Sequence, residues 1–421
     1  MTSAERPAPA LTVETVPLAD PGPLVSHLDG TSPLLWRRRG FGMSGHGECL
    51  RLTFSGPDRF VDAARMWRAL AAAARVDDAV QLPGSGLVAF GAFAFDDFST
   101  QTSVLVVPRV VVGRSERGCW LTRIRLAGED APDAPHLPIS SSWGDAPQLA
   151  LVPGELGERK YVAAVARAVE LIRSGALSKV VVARDLVGQL PAGSDLRPVI
   201  ASLAESYPDC WTYAIDGFFG SSPETLVSVH SGRVTARVLA GSAARGGDAA
   251  SDDAAATRLA TSHKDQDEHA FAVHNVLASL RAHSPAVTAS EVPFTLKLPN
   301  LWHLASDVEG SLSDDSSSLD LLSSLHPTAA VGGTPTAAAV TAIRELEGFD
   351  RGRFAGPVGW VAADGDGEWA IALRGAQAST DGTVTAWAGA GVVAESDPEH
   401  ELVETRMKFR PVVEAFTPPD G

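Results

Sequence analysis

Residues 389–408 read GAGVVAESDPEHELVETRMK, and this order predicts a strand, a small-residue turn and a helix that begins with acidic residues. Gly389, Ala390 and Gly391 carry almost no side-chain bulk, so a ligand could lie directly against their backbone. Ser396 stands where a helix cap is expected, because its hydroxyl can accept a hydrogen bond from the first helical turn. The stretch therefore predicts a ligand-accessible strand followed closely by an acidic helix.

Two predicted helices each carry a pair of carboxylates on one face. Glu401 and Glu404 are spaced i, i+3 in the last helix. Asp265 and Glu268 have the same spacing in a helix predicted over residues 262–282. Oxygen ligands of this kind suit a hard divalent cation. On their own, the pairs are more typical of two solvated acidic faces, and a shared metal site is the alternative.

A lysine and a glutamate stand at the ends of predicted strands. Lys179 begins the valine-rich strand SKVVVARDLVG, where a partly desolvated amine could act as a base. The alternative is a lysine that extends along the strand end to reach water. Glu224 follows a turn over residues 217–223, and in a pocket it could donate a proton to a leaving oxygen. A solvated turn carboxylate is the alternative.

Three further positions suggest recognition of an anion. The N–H groups around Gly241 and the hydroxyl of Ser242, in a small-residue turn, could bind a carboxylate. Arg374 lies in an otherwise apolar segment, and a buried arginine almost always has an anionic partner.

His326 has no Ser or Cys nucleophile motif beside it, so we expect it to serve in packing.

The composition limits the classes of protein to which the chain could belong. Its 421 residues carry a formal charge of −16, which disfavours binding to nucleic acid because no basic stripe exists to neutralise phosphates. The three cysteines are scattered and odd in number, which is typical of reduced thiols. The N-terminal residues do not resemble a signal peptide, and no apolar run is long enough to span a bilayer. We therefore expect a cytoplasmic protein without membrane association.

The chain is predicted to form a single domain over residues 1–421. Within it we expect a loosely ordered start (1–20), a strand-rich N-terminal part (21–126), a loop or linker rich in Pro, Ser and Asp (127–154), and a core that contains the chemical motifs (155–415). All the constellations described above fall in the last part.

These motifs, in this order, resemble the chorismate-utilising enzymes, which include isochorismate synthases, salicylate synthases, anthranilate synthase component I and aminodeoxychorismate synthase. The matching segments are SKVVVAR, FFGSSPETL, LAGSAARG, HKDQDEH, WHL, LHPTAAVGGTP, RFAGPVGW, IALRGAQ and GAGVVAESDPEHELVETRMK. The resemblance implies an α+β fold in which two large antiparallel β-sheets pack as a sandwich with helices outside. It also implies a Mg²⁺ ion that holds the ring carboxylate of chorismate.

The resemblance also assigns roles to individual residues. It implies four metal-binding carboxylates, the first two binding directly and the others often through water: Glu268, Glu404, Asp265 and Glu401. Lys179 matches the general base, and Glu224 matches the general acid. The positions that match substrate contacts are Gly241, Ser242, His303, Phe354, Arg374, Gly389, Ala390, Gly391 and Lys408. Phe354 stands where salicylate synthases typically have tyrosine, which removes one hydroxyl contact.

Differences among the family members favour one activity. Anthranilate synthases typically have glutamine at the position that Lys179 occupies here. Aminodeoxychorismate synthases typically have lysine at the position of Ala240. An aminating enzyme with a glutamine amidotransferase subunit is therefore disfavoured. The segment LHPTAAVGG and Phe354 look more like isochorismate synthases than salicylate synthases. The resemblance thus predicts a Mg²⁺-dependent isomerase, an isochorismate synthase in which water attacks C2 and the C4 hydroxyl leaves.

Two other functions remain open at this point. A salicylate synthase would form isochorismate and then eliminate pyruvate, and a catalytically silent protein of this fold would only bind a ligand. We expect a monomer whose product is used for menaquinone or, alternatively, siderophore synthesis.

Overall fold

The computed structural model describes residues 9–30, 32–130, 142–299 and 301–417. Its strands are β1 Leu11–Leu18, β2 Leu34–Arg38, β3 Phe41–Phe54, β4 Arg75–Asp78, β5 Val88–Ala92, β6 Ser103–Ser115, β7 Gly118–Leu126, β8 Val152–Pro153, β9 Lys179–Gln189, β10 Trp211–Ile215, β11 Phe218–Ser222, β12 Thr225–His230, β13 Arg233–Ala244, β14 Thr288–Ala289, β15 Phe294–Lys297, β16 Leu301–Ser311, β17 Gly333–Thr334, β18 Pro357–Ala362, β19 Gly367–Ile371, β20 Gly375–Ala378 and β21 Thr383–Val392. Its helices are α1 Arg59–Ala73, α2 Glu158–Arg173, α3 Arg197–Ser206, α4 Ala249–Thr261, α5 His263–Leu280, α6 Ser318–Leu325, α7 Thr336–Glu347 and α8 Pro398–Ala415.

The strands pair antiparallel throughout, except that β1 and β4 are parallel. One run of paired strands passes through β8, β9, β21, β20, β11, β10, β2, β3 and β6. From β6 the pairing continues to β7 and β1 on one branch, and to β5, β18, β19, β12, β13 and β16 on another. The predicted α+β class is confirmed. The two sheets that the resemblance implies are joined by hydrogen bonds into one continuous network.

The expectation of a loosely ordered start is wrong for residues 11–18. These residues form β1, whose eight residues pair in register with β7, from Leu11 opposite Leu126 to Leu18 opposite Cys119. Residues 1–8 lie outside the described part of the chain. The strand forms because its alternate residues are buried while the others remain more exposed, a period of two that suits a half-buried strand.

The predicted loop over residues 127–154 contains one short strand, β8. Residues 142–151 have no regular secondary structure, and residues 131–141 lie outside the described part. In the described ranges, none of the helices has the length and apolar character needed to cross a membrane.

The last helix begins one residue later than the sequence pattern predicted. Asp397 is the cap, and its carboxylate accepts a hydrogen bond from the backbone N–H of His400 at 2.9 Å. Ser396 instead accepts a hydrogen bond from the N–H of Val393 at 3.1 Å, so its hydroxyl closes the preceding turn. Pro398 occupies the first turn, where its missing N–H costs no hydrogen bond.

Candidate active site

A cavity of about 270 Å³ is lined by residues from β9, β13, β16 and β21 and from the helices α5 and α8. All the residues predicted for the site line this cavity except Ala390. They are Lys179, Glu224, Gly241, Ser242, Asp265, Glu268, His303, Phe354, Arg374, Gly389, Gly391, Glu401, Glu404 and Lys408. Residues far apart in the sequence therefore meet at one place, although their individual roles stay predictions. We call this space the active cavity.

The position of Ala390 in the strand β21 explains why this residue does not line the active cavity. Successive residues of a strand point to opposite faces, so Gly389 and Gly391 line the active cavity while Ala390 is fully buried elsewhere. The prediction of Ala390 as a substrate contact is therefore wrong. A Cβ atom at Gly391 would lie 3.1 Å from Cε of Lys179 and 3.6 Å from Oε1 of Glu268, so a larger residue there would make the lysine side chain shift by a few tenths of an ångström.

Lys179 and Glu268 form an ion pair inside the active cavity. Nζ of Lys179 lies 2.7 Å from Oε1 of Glu268, and Lys179 is 8% exposed. The predicted base begins β9, where the adjacent Val180 is fully buried in the core on the other face of the strand. The strand therefore holds the amine rigidly at the cavity wall, and Lys179 does not extend freely into water.

A second lysine pairs with a carboxylate on α8. Nζ of Lys408 lies 2.6 Å from Oε1 of Glu404, one helical turn away, and donates to the carbonyl oxygen of Gly389 at 2.8 Å. Burial alone would raise the pKa of Glu404. The charge and hydrogen bond of Lys408 outweigh that effect, so the pKa of Glu404 lies below its ordinary value. Glu404 is therefore ionised at neutral pH.

The carboxyl group of Glu224 has a raised pKa. It lies between β11 and β12 and is 6% exposed. Burial raises its pKa to about 7, although the nearby charges of Arg374, Lys179 and Lys408 oppose the rise. A substantial fraction of Glu224 is therefore protonated at neutral pH and can donate a proton.

Arg374 presents an unpaired positive charge to the active cavity. The residue is 8% exposed and has φ of 53°, a left-handed backbone conformation that is uncommon outside glycine. Within the described residues, no acceptor forms a hydrogen bond or ion pair with its guanidinium. Burial lowers the pKa of Arg374 below its ordinary value. The anionic partner that the sequence led us to expect is therefore absent from the described chain, and an anionic ligand would supply it.

A β-bulge forms the part of the cavity wall next to α5, where a Cβ atom on Gly241 would lie 3.2 Å from Cβ of Asp265. The register between β13 and β16 shifts between Ala240 and Ser242, so Gly241 bulges with φ of +77°. Its carbonyl oxygen lies 3.2 Å from Nδ1 of His303. Burial, with the charges of Arg374 and Lys408, lowers the pKa of His303 to about 3. The histidine is therefore neutral at physiological pH.

The four predicted metal ligands line one cavity but do not form a compact cluster. Among the residues that the structure describes, no three His, Cys, Asp or Glu side chains are close enough to hold a metal ion. Glu268 and Glu404 are each bound to a lysine instead. Oxygen donors of this type nevertheless fit the chemistry of Mg²⁺, which prefers carboxylates and water. The Mg²⁺ site stays a prediction.

Two of the lining residues with titratable side chains, His400 and Arg351, were not found from the sequence. His400 precedes Glu404 by one turn of α8, so the i, i+4 spacing could have indicated it. Arg351 is buried, pairs with Glu347, and donates to the carbonyl oxygens of Val331 and Val181, each at 2.9 Å. It therefore ties β9 to the loop before β17, a role that depends on tertiary contacts.

The chain was compared with known proteins. The model of a family described as chorismate binding enzyme matches residues 12–417. Isochorismate synthase DhbC of Bacillus subtilis is 40% identical over 268 residues, which are 61% of this chain and 67% of that protein. Putative isochorismate synthase MenF of Mycobacterium tuberculosis is 34% identical over 361 residues, which are 81% of this chain and 90% of that protein.

A solved structure shows the same fold. The menaquinone-specific isochorismate synthase MenF of Escherichia coli superposes with a TM-score of 0.78 at 25% identity, covering 96% of this chain and 95% of that one. The family match includes every residue that lines the active cavity, and the structural likeness covers 96% of the chain. The protein belongs to the chorismate binding enzymes.

Proposed function

We propose that this protein is a Mg²⁺-dependent isochorismate synthase, an isomerase that adds water at C2 of chorismate as the C4 hydroxyl leaves. One observation carries the proposal: Lys179, Glu224 with a pKa of about 7, and the unpaired Arg374 line the same cavity. The names of the relatives support the same reaction. In this proposal the product serves menaquinone or siderophore synthesis.

The leaving group sets the first chemical requirement. Hydroxide is a poor leaving group, so the C4–O bond breaks readily only if the oxygen receives a proton. Glu224 holds a proton at neutral pH because burial disfavours its charged form. We assign it as the general acid.

The attacking water sets the second requirement. As its oxygen bonds to C2, the water must lose a proton, and Lys179 is the assigned acceptor. In the structure the ammonium group of Lys179 donates to Glu268 at 2.7 Å, so it must first lose a proton to become a base. After turnover, one proton passes from Lys179 back to Glu224 through solvent, which restores both groups.

The substrate's charges explain the basic groups. Chorismate is a dicarboxylate, and the unpaired guanidinium of Arg374 suits the enolpyruvyl carboxylate, with which it can form two parallel hydrogen bonds. Glu268 and Glu404 would hold Mg²⁺ directly, and Asp265 and Glu401 through water. When bound, the ion supplies a fixed positive charge for the ring carboxylate.

The proposal also bears on partners and on location. Because water rather than ammonia is the nucleophile, no glutamine amidotransferase subunit is required. We further propose that the enzyme is a monomer and acts in the cytoplasm.

Product analysis tests the proposal. Purified protein is incubated with chorismate and Mg²⁺ in the absence of ammonia, and the products are separated by chromatography. Isochorismate as the sole product is the expected result. Salicylate together with pyruvate would identify a salicylate synthase, and unchanged chorismate would identify a protein that only binds its ligand.

A further inference from the structure

A buried ion pair lies beside the strand that carries Lys179. Glu347 is the last residue of α7, Arg351 follows four residues later, and their side chains are 0% and 2% exposed. Nε and Nη2 of Arg351 donate to the two carboxylate oxygens of Glu347, at 2.9 and 2.5 Å. Burial of two charges is favourable only when hydrogen bonds satisfy their remaining donors and acceptors. The further partners of the pair therefore show what it does.

The strand β9 has a gap in its pairing next to this ion pair. Along one side, β21 pairs with nearly the whole of β9. On the other side, β17 pairs with residues 179–180 and β8 with residues 186–187. Within the described part of the chain, no strand pairs with residues 181–185 on that side. Backbone groups in this gap need other partners, because a buried N–H or C=O group without a hydrogen bond is costly.

The side chains of the ion pair occupy this gap. Oε1 of Glu347 accepts a hydrogen bond from the N–H of Ala183 at 2.7 Å. Nη2 of Arg351 donates to the carbonyl oxygen of Val181 at 2.9 Å. Val181 also lines the active cavity, two residues after Lys179. The pair thus takes the place of a strand along the part of β9 that directly follows Lys179.

The same arginine also holds the other backbone segment beside Lys179. Nη1 of Arg351 donates at 2.9 Å to the carbonyl oxygen of Val331, in the loop before β17. Two residues further on, Gly333 begins β17 and lies opposite Val180 in the pairing with β9. This contact is close, since a Cβ atom at Gly333 would overlap the carbonyl oxygen of Lys179. A shift of the loop would therefore be passed directly to the backbone of Lys179.

We propose that Glu347 and Arg351 are positioning residues, which hold the amine of Lys179 where it takes a proton from the attacking water. The inference rests on the proposed function, because it requires Lys179 to be the base. Both residues act through the backbone: Arg351 fixes Val181 and the loop before β17, and Glu347 fixes Ala183. A misplacement of about 1 Å can cost about a hundredfold in rate, so loss of this support should lower kcat more than it changes KM.

Two conservative substitutions test the proposal. Arg351→Lys keeps a positive charge opposite Glu347, but a single ammonium group lacks the planar fork that reaches both carbonyl oxygens. Glu347→Asp keeps the negative charge and withdraws the carboxylate from the N–H of Ala183. The matched control is Arg197→Lys, which changes a largely buried arginine that pairs with Asp195 and does not line the active cavity.

Two measurements are made on each protein. Steady-state kinetics give kcat and KM for chorismate, and thermal melting gives the folded fraction, so that kcat is expressed per folded molecule. Hydrogen exchange, followed by mass spectrometry, reports on peptides that cover residues 179–183 and 328–334 and requires no turnover. Residues 186–189, at the other end of β9, are the internal reference. A wild-type chain that does not convert chorismate would refute the proposed function, while hydrogen exchange would still test the anchoring of Lys179.

Both test variants should lower kcat at least about tenfold and change KM less than about threefold, because the base rather than the substrate is displaced. Residues 179–183 should exchange at least about threefold faster in both variants, since their backbone groups lose partners. The loop before β17, residues 328–334, should do so in Arg351→Lys. Arg197→Lys should match the wild type in both measurements.

Several outcomes would overturn the proposal. A normal kcat per folded molecule, or unchanged exchange in residues 179–183, would show that the pair does not position Lys179. A KM that rises at least about tenfold with kcat retained would make Arg351 a substrate contact instead. The same fold loss of kcat in a Lys179→Ala background would show that the pair acts on the whole cavity rather than through the amine. If one variant does not fold, the other decides; if neither folds, the pair serves folding and not positioning.

Discussion

Glu224→Gln separates the catalytic role of a buried carboxyl group from its effect on stability. The substitution keeps the size of the side chain but removes its dissociable proton. We expect kcat for isochorismate formation to fall by about a hundredfold or more, since a general acid contributes about 10²–10⁴-fold. The same change should make the protein more stable than the wild type at high pH, because the variant no longer buries a charge.

The size of this stability effect follows from the pKa. Burial raises the pKa of Glu224 from 4.5 to about 7. Between these values the folded state holds the proton while the unfolded chain has lost it. The stability that the carboxyl group provides below pH 4.5 is therefore lost as the pH rises through 7. A difference of about 2.5 pH units, at about 1.36 kcal/mol each, gives a loss of about 3 kcal/mol.

Urea unfolding at a series of pH values measures the effect, with a chelator present so that metal binding does not contribute. From about pH 4 to about pH 9, the free energy of unfolding of Glu224→Gln should rise relative to the wild type by about 3 kcal/mol. Glu345→Gln, which changes an exposed glutamate on α7, is the matched control and should show no such trend. If wild type and Glu224→Gln changed in parallel with pH, the carboxyl group would not have the raised pKa on which the acid role rests.

Four further predictions concern the active cavity. Lys179→Ala should reduce kcat at least about a hundredfold, because the attacking water loses its proton acceptor. The circular dichroism spectrum should stay unchanged, and near-normal turnover would show that Lys179 is not the base. Arg374→Gln should raise KM for chorismate about tenfold or more without lowering the melting temperature, since the guanidinium has no described partner to lose; an unchanged KM would contradict its substrate contact. Gly391→Ala should lower kcat about tenfold, because the new Cβ would lie 3.1 Å from Cε of Lys179 and would displace its amine. Steady-state kinetics of wild type and variant, compared at equal concentrations of folded protein, measure this effect; an unchanged kcat would show that the amine is not displaced. Mg²⁺ should raise the melting temperature of the chelator-treated protein in a concentration-dependent way, and equal melting curves with and without the ion would count against the metal site.

Local sequence patterns predicted many of the elements that carry the site. The helix expected over residues 262–282 is α5, His263–Leu280, because its helical composition and its serine cap agree. The order of the motifs then identified most of the polar and charged residues that line the active cavity.

Features that depend on tertiary contacts could not be predicted in this way. Low side-chain bulk suggested that Ala390 touches the ligand, but the pairing of β21 with β9 turns it away from the cavity. Ser396 and Asp397 are both residue types that cap helix N-termini well. Only the path of the preceding turn determines that Asp397 is the N-cap of α8. The strand β1 lies more than a hundred positions from its partner β7, so its short alternating pattern gave only a weak signal. The contact between Lys179 and Glu268 likewise joins distant parts of the chain.

The two lysine–carboxylate pairs of the active cavity act as internal counter-ions. Because Lys179 neutralises Glu268 and Lys408 neutralises Glu404, the metal-free chain can gather these acids without a large repulsive energy. A divalent cation that bound there would compete with two ammonium groups already in place. Its affinity would therefore reflect an exchange of partners rather than capture by bare carboxylates, which favours reversible loading from the surrounding solution.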